Sequence, residues 1–334
     1  MLENKIHGRE RYVDVIAGIM IAWMILGHCR FFSGISLSFF KFLSFYMPWF
    51  FYKSGMFFTA KNPKQLIKKD TAKLLRYFVI YSAIGWGVWS VCGMVDGSLS
   101  LTECFLRPVR DFIHHGSIYG NGALWFLLSL FVVRQVANVL IIKKSPPSIL
   151  VMSCFIIAFL LYAKGWYNHS WWFGNAFSGL CFFLLGYWLK NKESNSWLFV
   201  FSTVSYGLVV AAYFVGWIDD FPYLYMHANK MYNGNYLLFY PTAIAGIIMV
   251  NNFFRLLCKR VKFCALEYIG LNSMTFYTTH WILFVLVTFV TKYIFHVQKP
   301  YVLFTVLLCA SIILLPVLIE TINCIRNKKH IKFI

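Results

Sequence analysis

The sequence predicts an all-α, polytopic integral membrane protein with about ten transmembrane helices, and three observations carry that prediction. Hydrophobic residues make up 60% of the 334-residue chain and charged residues only 13%, about half the charged share of a soluble domain. Mean hydropathy is +0.64. Apolar runs recur from Val13 to Ile322 with no Ser-, Pro- or Gly-rich linker between them, so residues 1–334 read as one membrane domain rather than two soluble ones.

A helix needs roughly 17 to 25 apolar residues to cross hydrocarbon. Runs of that kind predict spans near 13–31, 39–59, 74–95, 123–142, 148–163, 173–189, 197–218, 236–254, 270–294 and 301–322. The fifth and sixth are short. The second contains Pro48 and Gly55, which a membrane helix tolerates where its neighbours re-satisfy the backbone. The first run is too long for a signal-peptide core and lacks a small-x-small cleavage site, so it is expected to be retained.

Basic residues in short loops stay on the cytoplasmic side. With the N-terminus inside, twenty-one of the 31 Lys and Arg residues fall in inner segments, including Arg11, Lys68, Lys69, Lys144, Lys192 and Lys332. The opposite loops hold seven, among them Lys164 and Lys230, together with Asp96, Glu103, Asp111, Asp219 and Asp220. Both termini are therefore expected in the cytoplasm. The same distribution explains the formal net charge of +19 by topology and anionic lipid, and no nucleic-acid partner is expected. Cys29, Cys92, Cys154, Cys181 and Cys309 sit in or beside apolar runs with no Cys-x-x-Cys pair, so they read as small hydrophobes and no metal site is expected.

Chemistry enters with "RYVDVIAGIMIAWMILGHC", residues 11–29, an apolar run that opens on Asp14 and closes on His28. An ionisable residue within a span is a functional candidate by default, and imidazole can take and return a proton near neutrality. Residue type alone leaves two readings of His28: a proton carrier, or an interface residue satisfied by a backbone carbonyl.

Four stretches in order extend the argument. "YVDVIAGIMIAWMILGH" (12–28), "MPWFFYKSGMFF" (47–58), "GALWFLLSLF" (122–131) and "LEYIGLNSMTFYTTHW" (266–281) resemble the membrane acyltransferases called acyltransferase family 3, and "FLLGYWLK" (183–190) is a weaker fifth match. The closest likeness is to compact sugar O-acetylases without an extra extracytoplasmic domain. The resemblance implies a ten-span core in a bacterial plasma or inner membrane. It also implies transfer of an acyl group from cytoplasmic acyl-CoA, acetyl-CoA first, to a hydroxyl of a glycan or lipid-linked sugar. On that basis His28 and Asp14 are the catalytic candidates. Arg11, Lys53, Lys68 and Lys69 are candidates for holding the donor, and Ser54, Trp125, Ser273, Tyr277 and His280 for lining the pocket. The acyl-CoA is a cosubstrate, and no resident cofactor is expected. General-base catalysis and a covalent acyl-histidine are both open.

One position departs from the family. Its first span carries a basic residue three places after the Asp and eleven before the His, on the same helix face and roughly 16 Å from it along the axis. Here that position is Ala17. Lys53, at matching depth in the second span, either supplies the missing cation or snorkels to the headgroups. His114 and His115, with Arg110 and Asp111, read as an outer loop, solvated or touching an acceptor. A transporter of glycan or small solute remains the competing class, since polar residues within ten spans would also line a path.

Overall fold

The computed structural model describes residues 10–143, 146–163, 172–190, 196–226, 230–231 and 236–331. Thirteen helices lie in these segments: α1 (Arg11–Ser33), α2 (Tyr46–Met56), α3 (Pro63–Asp70), α4 (Arg76–Val95), α5 (Leu101–His115), α6 (Trp125–Ile142), α7 (Pro147–Ala163), α8 (Trp172–Leu189), α9 (Ser196–Phe214), α10 (Tyr236–Leu257), α11 (Cys264–Leu271), α12 (Ser273–Phe289) and α13 (Pro300–Ile331). The only extended pairing among the described residues is two residues long, Leu224–Tyr225 against Lys230–Met231. Lys144, Lys164, Lys192 and Lys332, counted above in the loops, lie outside the described residues.

Each of the ten apolar runs contains a helix. Among the described residues, six segments are long and apolar enough to cross a membrane: Arg11–Ser33, Pro63–Val95, Gly122–Ile142, Ser196–Phe214, Ser273–Ile294 and Pro300–Arg326. The second run departs most from expectation. Residues Ser38–Leu43 form a 3₁₀ turn, and α2 has only 11 residues, about 16 Å of helix against a core of roughly 30 Å. Pro48 lies in the first turn of α2, where its missing N–H costs nothing. After Met56 the chain leaves the helix and is held by Asn138, which bonds both the N–H and the C=O of Lys61 at 2.9 and 2.8 Å.

Two close helix crossings set the core. A Cβ on Gly270 would come within 1.8 Å of the Asp14 carbonyl oxygen, and one on Gly18 within 2.0 Å of the Leu266 oxygen, so α1 and α11 touch backbone to backbone. Gly55 and Gly186 do the same for α2 and α8, at 1.9 Å from the Phe183 oxygen and 2.1 Å from the Tyr52 oxygen. Small residues allow this approach where lipid supplies no hydrophobic drive between helices. Helix α1 sits centrally, packed on α2, α10, α11, α12 and α13.

Ion pairs and hydrogen bonds gather the basic segments at one end of the bundle. Arg11 pairs with Glu267 at 2.7 Å, Arg134 with Asp70 at 2.8 Å, and Lys190 donates to the Phe58 carbonyl at 3.1 Å. At the far end Lys41 pairs with Asp220 and the Ser44 hydroxyl donates to the Pro222 carbonyl. There α5 presents an exposed apolar side, including Leu101, Phe105, Val109 and Phe112, the character of a helix lying in a membrane interface.

Candidate active site

Helical periodicity builds three adjoining cavities. Along α1, Ile21 lines a middle cavity and Met24 and His28 line one at the far end. Along α6 the order is Trp125 at the far end, Leu127 in the middle, and Arg134 where the middle cavity meets a third at the basic end. On α12 the order is Trp281, Tyr277, then Ser273 and Met274. Residues three or four apart on one helix face recur along a single path. The volumes are about 440 Å³ at the far end, 300 Å³ in the middle and 860 Å³ at the basic end. Met47 and Tyr277 border both the far and the middle cavity, and Ser54 and Arg134 border both the middle and the basic-end cavity.

His28 is anchored from behind by His280. His28 Nδ1 lies 2.8 Å from His280 Nε2, with the rings 6° from parallel. His280 is fully buried, and its Nδ1 lies 2.8 Å from the Tyr277 carbonyl and 3.1 Å from that of Phe276. Carbonyl oxygens only accept, so His280 Nδ1 carries a proton. In the neutral form of that ring Nε2 is the acceptor and His28 Nδ1 the donor. The lone pair of His28 is then on Nε2. Trp281 packs edge-on against His28 at 5.1 Å and 80°, which fixes the ring plane further.

His280, which holds the His28 ring through Nδ1, is a positioning residue. His280→Leu is expected to lower kcat roughly tenfold to a hundredfold with little change in KM, the scale for an imidazole that loses its orienting partner. His280→Gln offers an amide oxygen near the lost Nε2 and is expected to recover most of the rate. Equal loss in both variants would mean that packing alone is at stake.

At the opposite side of the path stands Arg134. Its Nε donates to Asp70 Oδ2 at 2.8 Å and its Nη1 to Ser54 Oγ at 3.1 Å, while Gln135 Nε2 also donates to Asp70 Oδ2 at 3.1 Å. Asp70 is 2% exposed, and the buried carboxylate holds the guanidinium at the cavity wall. A π-helical turn at Thr71–Leu75 follows directly. Lys73 within that turn and Arg76 just after it join Lys69 and Arg326 in lining the basic-end cavity. The cavity is thus rich in cations and suited to an anion with several charges.

The predicted residues separate on this frame. His28, Trp125 and Tyr277 line the far cavity; Lys53, Ser54, Ser273 and again Tyr277 line the middle one; Lys69 lines the basic-end cavity. His280 stands behind the wall rather than in it. Lys53 Nζ lies 5.5 Å from the Trp49 ring centroid, inside the bundle. Arg11 is engaged with Glu267, and Lys68 is exposed on α3; neither is among the residues lining the three cavities. Asp14 is buried at the crossing with α11, fourteen residues and ~21 Å of helix from His28, too far to touch it. Ala17 is fully buried, in the core one turn from Ile21. Arg134, Lys73, Arg76, Arg326 and Asp111 were not singled out as site residues. An arginine within an apolar run is itself a signal, and it would have found Arg134.

The adjoining cavities thus run from a cation-rich end to a histidine held by a second histidine, within a bundle of apolar helices. The family model described as an acyltransferase domain matches residues 10–321, nearly the whole chain, and the protein belongs to acyltransferase family 3. Comparison with curated proteins and with solved structures gave no match.

Proposed function

We propose that this membrane acyltransferase moves an acetyl or similar small acyl group from acyl-CoA at the basic end to a hydroxyl of a surface or exported glycan, or of its lipid-linked precursor, at the far end. The basic end faces the cytoplasm of a bacterial cell and the bilayer is the plasma membrane. The observation that supports this most is the order of the three cavities, with a cluster of cations at one end, a smaller and mostly apolar middle that Lys53 and Arg134 border, and His28 at the other. The nucleotide's phosphates would meet Lys69, Lys73, Arg76, Arg134 and Arg326. The thioester arm would run through the middle cavity past Lys53 and Ser273, and the distance from Ile21 to His28 along α1 is roughly 10 Å.

The reaction step then follows from the tautomer. His28 Nε2 accepts the proton of the acceptor hydroxyl as its oxygen bonds to the thioester carbonyl carbon. The Nδ1–H of the resulting imidazolium remains bonded to neutral His280, which spreads the new charge. Collapse of the tetrahedral adduct breaks the C–S bond, and the leaving thiolate takes the proton back from Nε2. Lys53 and Arg134 take the place of the cation missing at Ala17, since either offers positive charge to the middle of the path.

The reading is tested by the mass of glycan from cells with and without the gene. Acetyl transfer predicts a shift of about 42 Da per modified sugar, one acyl group replacing one hydroxyl proton, with the amount of glycan unchanged. A loss of glycan with no change in its mass would instead identify a transporter.

A further inference from the structure

The far cavity contains a carboxylate that the reaction step does not use. Asp111 lies on α5, whose apolar residues are exposed, yet its own side chain is 17% exposed and lines the same cavity as His28. His115 Nδ1, one turn on, donates to Asp111 Oδ1 at 2.7 Å, and Ser117 Oγ donates to Oδ2 at 3.0 Å. A carboxylate has about four lone-pair sites, so each oxygen retains one to accept from a ligand while its orientation is held by the protein.

The wall around Asp111 is aromatic. The Trp89 and Tyr119 rings lie 4.6 Å apart, and Trp125 and Trp281 line the cavity with them. Aromatic faces carry partial negative charge and attract positive edges. A sugar ring offers both matching features, a C–H face for the aromatic wall and hydroxyl donors for the carboxylate. An anionic group on that ring would instead meet a like charge in a site partly withdrawn from water, where repulsion is strong. Asp111 is the one Asp, Glu, Lys or Arg among the described lining residues; Arg107 stands over the Tyr119 ring, 5.9 Å from its centroid, and His115 is bonded to Asp111 Oδ1.

We propose that Asp111 is the acceptor-binding carboxylate of the far cavity and selects sugars with no anionic group on the residue to be acylated. Neutral hexoses, N-acetylhexosamines and amino sugars fit; uronic acids and phosphorylated sugars are rejected. Naming this ligand the acceptor rests on the acyl-transfer reading, whereas its binding is measurable without any donor.

The experiment uses the full chain in lipid nanodiscs, with no acyl-CoA present. Calorimetric binding is measured for neutral hexose and N-acetylhexosamine oligosaccharides and for their uronic acid and phosphorylated counterparts. The proposal expects neutral sugars to bind at least tenfold more tightly than matched acidic ones. Asp111→Asn, close in shape, should weaken neutral binding roughly tenfold to a hundredfold, the scale of losing hydrogen bonds to a charged group. The same variant should bind acidic sugars more tightly than the unmodified protein does, a gain that misfolding cannot produce. Acidic sugars binding as well as neutral ones, neutral binding indifferent to Asp111→Asn, or no sugar bound at all would each overturn it. Selective sugar binding by a protein that transfers no acyl group would support the proposal while removing the acyl-transfer reading. Transfer without the charge preference would do the reverse.

Discussion

Replacing His28 with Gln is expected to lower acyl transfer by about 10²- to 10⁴-fold, the usual contribution of a positioned general base. The loss should fall on kcat, because the glutamine amide keeps a polar group of similar reach in the far cavity but cannot take up the proton. Accumulation in the membrane should be normal. His28 is half-buried at the cavity wall, and its partner His280 makes its other hydrogen bonds to backbone carbonyls that the substitution leaves in place. The check is single-turnover transfer by purified protein, with donor binding measured separately. A His28→Gln enzyme within a few-fold of the unmodified rate would remove the general base from the account.

The second large effect belongs to Arg134. Arg134→Met leaves Asp70 buried without its cation, and breaking a buried pair from one side costs roughly 3–5 kcal/mol, so this variant is expected to accumulate poorly. The informative protein is the double variant Asp70→Leu with Arg134→Met. Apolar replacement of both partners is commonly tolerated, and the fold should return. Donor binding should not, because the guanidinium at the border of two cavities is gone. KM for acyl-CoA is expected to rise roughly tenfold to a hundredfold, the scale of losing a charge-assisted hydrogen bond. A stable double variant with unchanged KM would place the nucleotide elsewhere.

What the sequence makes legible is whatever depends on local pattern. Long apolar runs become helices because the backbone must satisfy itself in hydrocarbon, and His28, Tyr277 and His280 are conspicuous as polar groups inside such runs. The 39–59 run misled because hydropathy does not register a 3₁₀ turn before Pro48 or an exit after Met56. Lys68 and Lys69 are neighbours in sequence and both are exposed, and only the phase of α3 decides that Lys69 borders the cavity and Lys68 does not. Trp125 reads as one more interfacial aromatic until the fold brings Asp111 and Trp281 around it.

The α5 segment, expected as an outer loop, carries helix signals in its sequence. Ser100 and Glu103 have the spacing of a capping box, and the Ser100 hydroxyl accepts from the Glu103 N–H at 3.3 Å. With the apolar spacing of Leu101, Phe105, Val109 and Phe112 it marks an amphipathic helix, not a loop. The tautomer of His28 was beyond reach, since it depends on His280, 252 residues away. Asp14 shows the converse: its matching position suggests a catalytic role, and the fold buries it where α1 crosses α11, ~21 Å of helix from His28.

The central claim is that the acyl group passes through the bundle from one face of the membrane to the other. Proteoliposomes with labelled acetyl-CoA and a soluble acceptor oligosaccharide test it directly, with the two placed in the same compartment or in opposite ones. Each protein, whichever way it inserts, would have its donor cavity on one side and its acceptor cavity on the other. Labelled acceptor is therefore expected only when donor and acceptor are separated by the bilayer, and transfer that proceeds equally well with both in one compartment would contradict the account.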